Sequence, residues 1–433
     1  MKQATSNQTY EFEHGPVPIQ NRHSLLSVTL VWLGFPLVVT GSFLGGQLTQ
    51  ALGFKMALLA ILLGNLILFI YVGALSHIAA RTGLSFSLLS HQVFGINYAR
   101  WVSVFLSTLV IGWFAVQTGL AGQGLHDMLG WSAPLTSLIA GLIFVAITLI
   151  GVRALSVIGA ISIPLFLVLG TLAMIFTFKH SNWDQMLHYT GNPSPDYLSL
   201  GIAISLVISL FIDSGTLSAD FTRWAKNPKH ALIATASAFP LANGISMVLG
   251  AIVVAGNTSS DGNFAAVVAT HAPWLVLLAA LFFLVNCASV TMHCLYNAAT
   301  GWSEITQQRY VTMVTILGII GTLIATAGIW DHLIHWLSLL GIIVPGIGGV
   351  MIAHFWRNGL AANANPIAAL GGWSIATIFA TAFHFWAPQY SVAIIAMFSS
   401  GVTFWIIDKI TRQQRIIDHE EIYTSPTLEA TDN

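Results

Sequence analysis

The sequence predicts an all-α polytopic membrane protein with twelve transmembrane helices, and three observations lead there. Of 433 residues, 55% are apolar and 7% charged, with a mean hydropathy of +0.78; soluble domains carry about 25% charged residues. The apolar residues gather into continuous runs, each long enough for a bilayer, which takes roughly 17–25 residues. The basic residues fall between the runs in a one-sided pattern. The runs are 26–50, 56–79, 99–125, 134–152, 156–178, 199–221, 231–256, 273–300, 311–329, 332–356, 364–386 and 388–408. They are rich in Leu, Ile, Val, Ala and Phe without period-2 alternation, so they read as helices and not as barrel strands. The connections are short, the longest being 179–199 with Pro193 and Pro195, and none holds a soluble domain.

Orientation follows from the 15 Lys and Arg residues. With both termini in the cytoplasm, the inner side receives Lys2, Arg22, Arg81, Arg100, Arg153, Arg223, Lys226, Lys229, Arg309, Arg357, Lys409, Arg412 and Arg415, and only Lys55 and Lys179 fall outside. The positive-inside rule expects such a split, and a missed span would scramble it. The net charge of −1 excludes a nucleic-acid partner, which needs a basic footprint. Cys287 and Cys294 are two helical turns apart, about 10 Å, too far for a disulfide. The polar segment Met1 to Arg22 lacks a short apolar core and cleavage site, so no secretory signal is expected. The tail after Asp408 has no apolar periodicity and is expected to be disordered.

Two spans look interrupted. The first contains Gly34-Phe35-Pro36 and then Gly41; the sixth contains Phe211-Ile212-Asp213-Ser214-Gly215. Proline removes a backbone donor and glycine tolerates unusual dihedrals. One such break in a membrane helix can mean no more than close packing. Two breaks five spans apart occupy matching places if spans 1–5 and 6–10 are inverted repeats, in which cargo binds at unwound helix centres. Asp213 is the one acid in the middle of a span, where an ionised carboxyl costs at least ~3 kcal/mol. It reads as a functional group, a helix cap, or both. Asp220 lies near the end of the same span and is expected to pair with Arg223.

These residues resemble the nucleobase–cation symporter family, which includes bacterial cytosine permeases and hydantoin and allantoin transporters. The most specific stretch runs from Phe211 to Pro228, and its Ala219-Asp220-Phe221-Thr222-Arg223-Trp224 is similar to the family's signature after helix 6. Arg81-Thr82-Gly83-Leu84, Gly112-Trp113-Phe114 and Pro345-Gly346-Ile347-Gly348-Gly349 support it, and the likeness weakens after the tenth span. The resemblance implies a leucine-transporter-like fold. Its parts would be a cytoplasmic tail (1–23), a first five-helix repeat (24–178), an inverted second (199–356), two further helices (364–408) and a second cytoplasmic tail (409–433).

The resemblance also implies a site. Trp113 and Phe211 match two aromatic positions that hold a planar cargo, and Asn286 matches a polar position of helix 8. Asp213 stands where cytosine permease has serine. Gln117 matches a glutamine of the hydantoin transporter; cytosine permease has glycine there, and Val110 stands in place of the glutamine it carries one turn before the Trp. A flat heteroaromatic ring suits this set, since offset stacking contributes ~0.5–1.5 kcal/mol beyond area burial. Edge hydrogen bonds supply selectivity, and a carboxylate, which only accepts, favours an edge rich in N–H donors, as in an aminopyrimidine or purine. For sodium, the matching ligands would be the carbonyls of Phe35, Val38 and Asn286 and the Ser289 hydroxyl, with Val290 where relatives have a second hydroxyl. Hard cations need oxygen, and Thr291 sits about 100° around the helix from Val290.

The expected activity is therefore import of a nucleobase or nucleobase-like heterocycle (cytosine, a purine or a related pyrimidine) by symport with Na⁺ or H⁺. A hydantoin, allantoin or hydroxymethylpyrimidine cargo is the alternative, and Val290 with Asp213 tilts the coupling ion toward the proton. The expected setting is the cytoplasmic (inner) membrane, with lipid and a small heterocycle as partners and no obligate protein partner. An intramembrane metal hydrolase is the competing class. Against it, no His-Glu-x-x-His occurs, His332 and His335 beside Asp331 read as a surface pair, and His293 reads as packed with a satisfied ring nitrogen. A passive channel would need a filter loop or charge ring.

Overall fold

A chain this apolar must satisfy its backbone hydrogen bonds within each segment, and it does so as helix almost throughout. The computed structural model describes residues 15–150, 152–192, 198–256, 261–360 and 363–424. In chain order the helices are α1 (Leu25–Gly34), α2 (Val39–Leu52), α3 (Phe54–Thr82), α4 (Phe86–Leu129), α5 (Ala133–Ile150), α6 (Val152–His180) and α7 (Trp183–Leu187). There follow α8 (Leu200–Ser209), α9 (Ile212–Thr216), α10 (Ala219–Thr222), α11 (Pro228–Ala236), α12 (Gly244–Gly256) and α13 (Phe264–Ala269). The last are α14 (Pro273–Thr306), α15 (Tyr310–Thr326), α16 (Leu333–Ile343), α17 (Pro345–Asn358), α18 (Pro366–Trp386) and α19 (Val392–Thr424).

Local chemistry sets the boundaries. Ser24, Ser85, Ser199, Asn227 and Asn365 cap α1, α4, α8, α11 and α18, each accepting from an N–H three residues on. Pro228, Pro273 and Pro366 follow at the first helical position, where their missing N–H costs nothing. Gly83 ends α3 in the left-handed conformation (φ 75°). Gly95 (φ 74°) breaks the long α4, so the part before it runs in a different direction from the membrane span after it. Between α11 and α12 a π-helical turn, Ser237–Asn243, accommodates Pro240.

Among the described residues nine helices are long and apolar enough to cross a membrane, and a tenth arises if α1 and α2, bent by 56°, form one span. The expected spans 199–221 and 311–329 contain the shorter apolar helices Leu200–Ser209 and Tyr310–Thr326. Length and apolarity alone therefore fall short of the twelve expected. One expectation is corrected: the chain after Asp408 is helical to Thr424, because α19 continues without a break. Lys2, Pro193 and Pro195 lie outside the described residues. The two cysteines are free and buried, as their spacing requires.

Burial separates two kinds of helix face. Rings and aliphatic side chains fill one continuous interior, while Leu62, Ile70, Leu277 and Phe398 stand 57–71% exposed in mid-helix. Trp131, Trp183, Trp274, Trp356 and Trp386 are exposed at helix ends, as an interfacial aromatic belt requires.

One basic side chain ties the end of this fold together. Arg22, only 9% exposed, donates to the carbonyls of Val17, Ala80 and Ala225. The same segment is held by Val17 N–H to Gly83 O and His23 N–H to Trp224 O, with the His23 and Trp224 rings stacked at 5.2 Å. Thus the leader of α1, the end of α3 and the turn after α10 form one unit. Hydrogen bonds from a charged donor contribute about 1.5–3 kcal/mol, so Arg22→Gln is expected to lower the thermal midpoint of the detergent-purified protein and to speed amide exchange at 80–85 and 222–225. Unchanged exchange there would contradict this role.

Candidate substrate cavity

The two sequence breaks are real interruptions of helix. Between α1 and α2 the chain leaves helical geometry at Phe35–Val38, with Val38 extended (φ −124°, ψ 145°). Between α8 and α9 it breaks at Phe211 (φ −136°, ψ 18°). Unwound backbone in a bilayer core must find other partners. At the first break Asn286 of α14 supplies them: its Oδ1 accepts from Val39 N–H (2.9 Å), and its Nδ2 donates to Leu37 O (3.0 Å) and to Ser162 Oγ of α6 (2.9 Å). The Val38 carbonyl accepts from Ser246 Oγ of α12. Near the second break Thr216 Oγ1 donates to Ile212 O and bonds Tyr71 Oη of α3 at 2.8 Å.

Both breaks open onto one small buried cavity. Phe35 and Val38 come from the first break, Leu210, Phe211 and Ser214 from the second, Trp113 and Gln117 from α4, and Val290 and Cys294 from α14. Trp113 and Phe211 therefore face the same space. So does Gln117, whose Oε1 accepts from Thr40 Oγ1 at 2.7 Å. The cavity measures about 10 Å³, about the least that holds one water. Rings close it on the side of α1's start: Phe35 packs edge-on against Phe211 (5.5 Å), backed by Trp32, Phe221 and Phe239. One turn into α2, Phe43 packs edge-on against Trp330 (5.2 Å) and Phe283 (6.4 Å) on the other side. These rings leave the cavity almost no free volume.

Asp213 lies immediately behind this cavity, fully buried. Its Oδ1 accepts from the Ser214 N–H (2.7 Å), while Oδ2 has no partner among the described residues. The indole Nε1 of Trp113 is a weak donor to the carboxyl and has no other partner among the described residues. An acceptor and a donor with no good partner beyond each other thus sit side by side behind the cavity wall. Buried polar groups are nearly always paired, and a ligand edge with a donor next to an acceptor would pair both.

Other expected site residues are placed differently. Asn286 does not line the cavity; its amide braces the break. Ser289 is half-buried, and its carbonyl accepts from His293 Nδ1 (2.6 Å), so that imidazole is satisfied as expected. Thr291, next to Val290, donates its hydroxyl back along its own helix to Cys287 O and does not line the cavity. Asp220 feels the charge of Arg223 but also fastens α10 to α4, its Oδ1 accepting from Phe86 N–H. His332 and His335 are exposed, and no group of three or more metal-ligating side chains occurs among the described residues. Sequence reasoning missed Ser214 and Cys294. Ser214 follows a flagged acid, and Cys294 lies one turn past Val290 on the same face.

Two broken helices meeting at a shielded polar pocket within a helical membrane bundle define a secondary transporter. The model of a family described as permeases for cytosine/purines, uracil, thiamine and allantoin matches residues 16–365. The cytosine permease of Escherichia coli (strain K12) is 30% identical over 352 residues, 81% of this chain and 82% of that protein. Among solved structures, the inward-facing conformation of Mhp1 superposes with a TM-score of 0.76 at 17% identity, covering 92% of this chain and 93% of that one. Mhp1 closed on bromovinylhydantoin, a nucleobase-cation-symport-1 family transporter, gives 0.70 at 19% identity, with 92% and 96% covered. The chain belongs to the nucleobase–cation symporter family and is a transporter, not an enzyme. Its fold is the leucine-transporter-like one of Mhp1.

The bracing role of Asn286 has a measurable consequence. Asn286→Ala strands the Val39 N–H and the Leu37 carbonyl, each at about 1–3 kcal/mol. The thermal midpoint in detergent is expected to fall by several degrees, with the variant still inserted in the membrane. A midpoint equal to wild type would mean that the break is held by other contacts.

Proposed function

We propose that this protein imports a nucleobase or nucleobase-like heterocycle across the cytoplasmic (inner) membrane by proton symport, with both termini in the cytoplasm. The cargo lies between Trp113 and Phe211, and Asp213 accepts from its N–H edge. Residues 24–178 and 199–356 act as the two inverted repeats that rock about this point. The observation that carries the reading is the convergence of both helix breaks and Trp113 on one cavity beside an unpaired carboxyl oxygen. An aminopyrimidine or aminopurine edge offers the donor and adjacent acceptor that Asp213 Oδ2 and Trp113 Nε1 lack. Gln117 in the cavity wall supports a hydantoin-type cargo as the second reading, since an imide edge also presents N–H donors.

Proton coupling rests on the oxygen inventory. Val290 brings no oxygen, which leaves one hydroxyl, that of Ser289, beside the carbonyls of Phe35, Val38 and Asn286 at the matching positions. A sodium ion, which needs several oxygens, finds the set incomplete. A buried carboxyl that gains a proton loses the cost of burying its charge, so protonation of Asp213 favours closure, and the neutral acid keeps an acceptor oxygen for the cargo's N–H.

In proteoliposomes, uptake of labelled cytosine or adenine is expected to rise as the outer pH falls, and to be flat against sodium at constant ionic strength. Asp213→Asn is expected to abolish accumulation while leaving exchange of cargo across the membrane. Accumulation that survives in Asp213→Asn would remove the proton carrier. Uptake that climbs with sodium would restore the ion site at Phe35, Val38, Asn286 and Ser289. Hydantoin outcompeting both bases would select the second cargo.

A further inference from the structure

A second, far larger hollow lies away from the transport cavity. α11 and α17 both pack on α3 and leave about 790 Å³ between them. Residues Ile70, Gly73, Ala74, His77, Ile78 and Arg81 of α3 form its floor. Their spacing of three and four places them on a single face of that helix. The walls are apolar: Leu232 from α11, Phe355 and Trp356 from α17, with Trp356 standing 88% exposed at the rim. Gly73 deepens the floor, since a Cβ there would stand 3.2 Å from Leu232 Cδ2.

The floor is apolar at one end and basic at the other. Ile70 to Arg81 is eleven residues, about 16 Å along a helix, which is about half the hydrocarbon thickness of a bilayer. His77 is half-buried, and Arg81 is exposed in the last turn of α3. Among the described residues no ion pair involves Arg81, and no lining residue is acidic. The neighbouring Arg357, 3.3 Å from Asp408, shares that carboxylate with Arg412, so this end of the groove keeps a net positive charge. A groove one leaflet deep, apolar below and cationic above, is complementary to one kind of molecule in the bilayer.

We propose that this groove is a binding site for a single anionic phospholipid, with an acyl chain laid along Gly73 and the phosphate held by Arg81. A zwitterionic lipid would fill the same apolar space, but its ammonium group offsets the attraction. Each basic side chain near a membrane surface favours an anionic headgroup by about five-fold in affinity. The site is separate from the cavity of Trp113 and Phe211, so it stands whatever the cargo.

Native mass spectrometry of the delipidated, detergent-solubilised full chain tests this, with phosphatidylglycerol and phosphatidylcholine of identical acyl chains offered at equal concentration. The wild type is expected to retain one phosphatidylglycerol at about five-fold higher occupancy than phosphatidylcholine. Arg81→Gln should bring the two to parity and Arg81→Lys should keep the preference. Gly73→Leu, which fills the floor, should lower retention of both. Parity in the wild type overturns the proposal, with no variant required. An undiminished preference in Arg81→Gln, or unchanged retention in Gly73→Leu, overturns it equally.

Discussion

Within a bilayer core an unwound turn persists only where side chains replace the backbone partners it has lost, and in the first span one amide does this. Asn286 reaches from α14 to a carbonyl and an N–H on either side of Val38, and also to Ser162 on α6. Three helices are therefore fixed around the break before any cargo is considered. With the backbone satisfied there, the Phe35 ring is free to meet Phe211, and the two breaks can share a cavity. The second break is stiffened by the Tyr71–Thr216 bond from α3. Without these polar contacts the Val39 N–H and the Leu37 carbonyl would be stranded in the bilayer core.

Against this satisfied scaffold, the atoms left without partners stand out. Asp213 Oδ2 and Trp113 Nε1 are buried together, one accepting and one donating, at the edge of a space walled by rings. Rings supply affinity for any flat guest of suitable size. The orphaned pair supplies discrimination, because a guest that leaves a buried polar group unpaired is penalised. Kinship with a cytosine permease at 30% identity leaves the identity of the cargo to this local chemistry.

Much of this was legible in the sequence. Continuous apolar runs located the helices, since bilayer thickness acts on each segment separately. Gly34-Phe35-Pro36 and Asp213 announced the breaks because each breaks a local rule in an otherwise uniform run. What was not legible depends on distant partners. A buried amide reads the same whether it holds cargo or scaffold, and only the fold shows that Asn286 faces Leu37 and Val39. Only the fold shows that the Thr291 hydroxyl donates back to Cys287 on its own helix. The helix beyond Asp408 was missed because its sequence is mostly polar and charged, with isoleucines only at 410, 416, 417 and 422, too few to mark an apolar run. The π turn at Pro240 and the kink at Gly95 answer to packing across the bundle, so each residue alone gave no warning.

The cavity's 10 Å³ has a consequence for pharmacology. Since so little space exists when the rings are shut, any guest must be admitted while Phe35, Phe211 and their neighbours are apart, and must then tolerate their return. Admission and carriage are separate hurdles. A molecule slightly too bulky can enter through the open mouth and hold it ajar, so analogues of growing size should pass from cargo to blocker at one definite dimension.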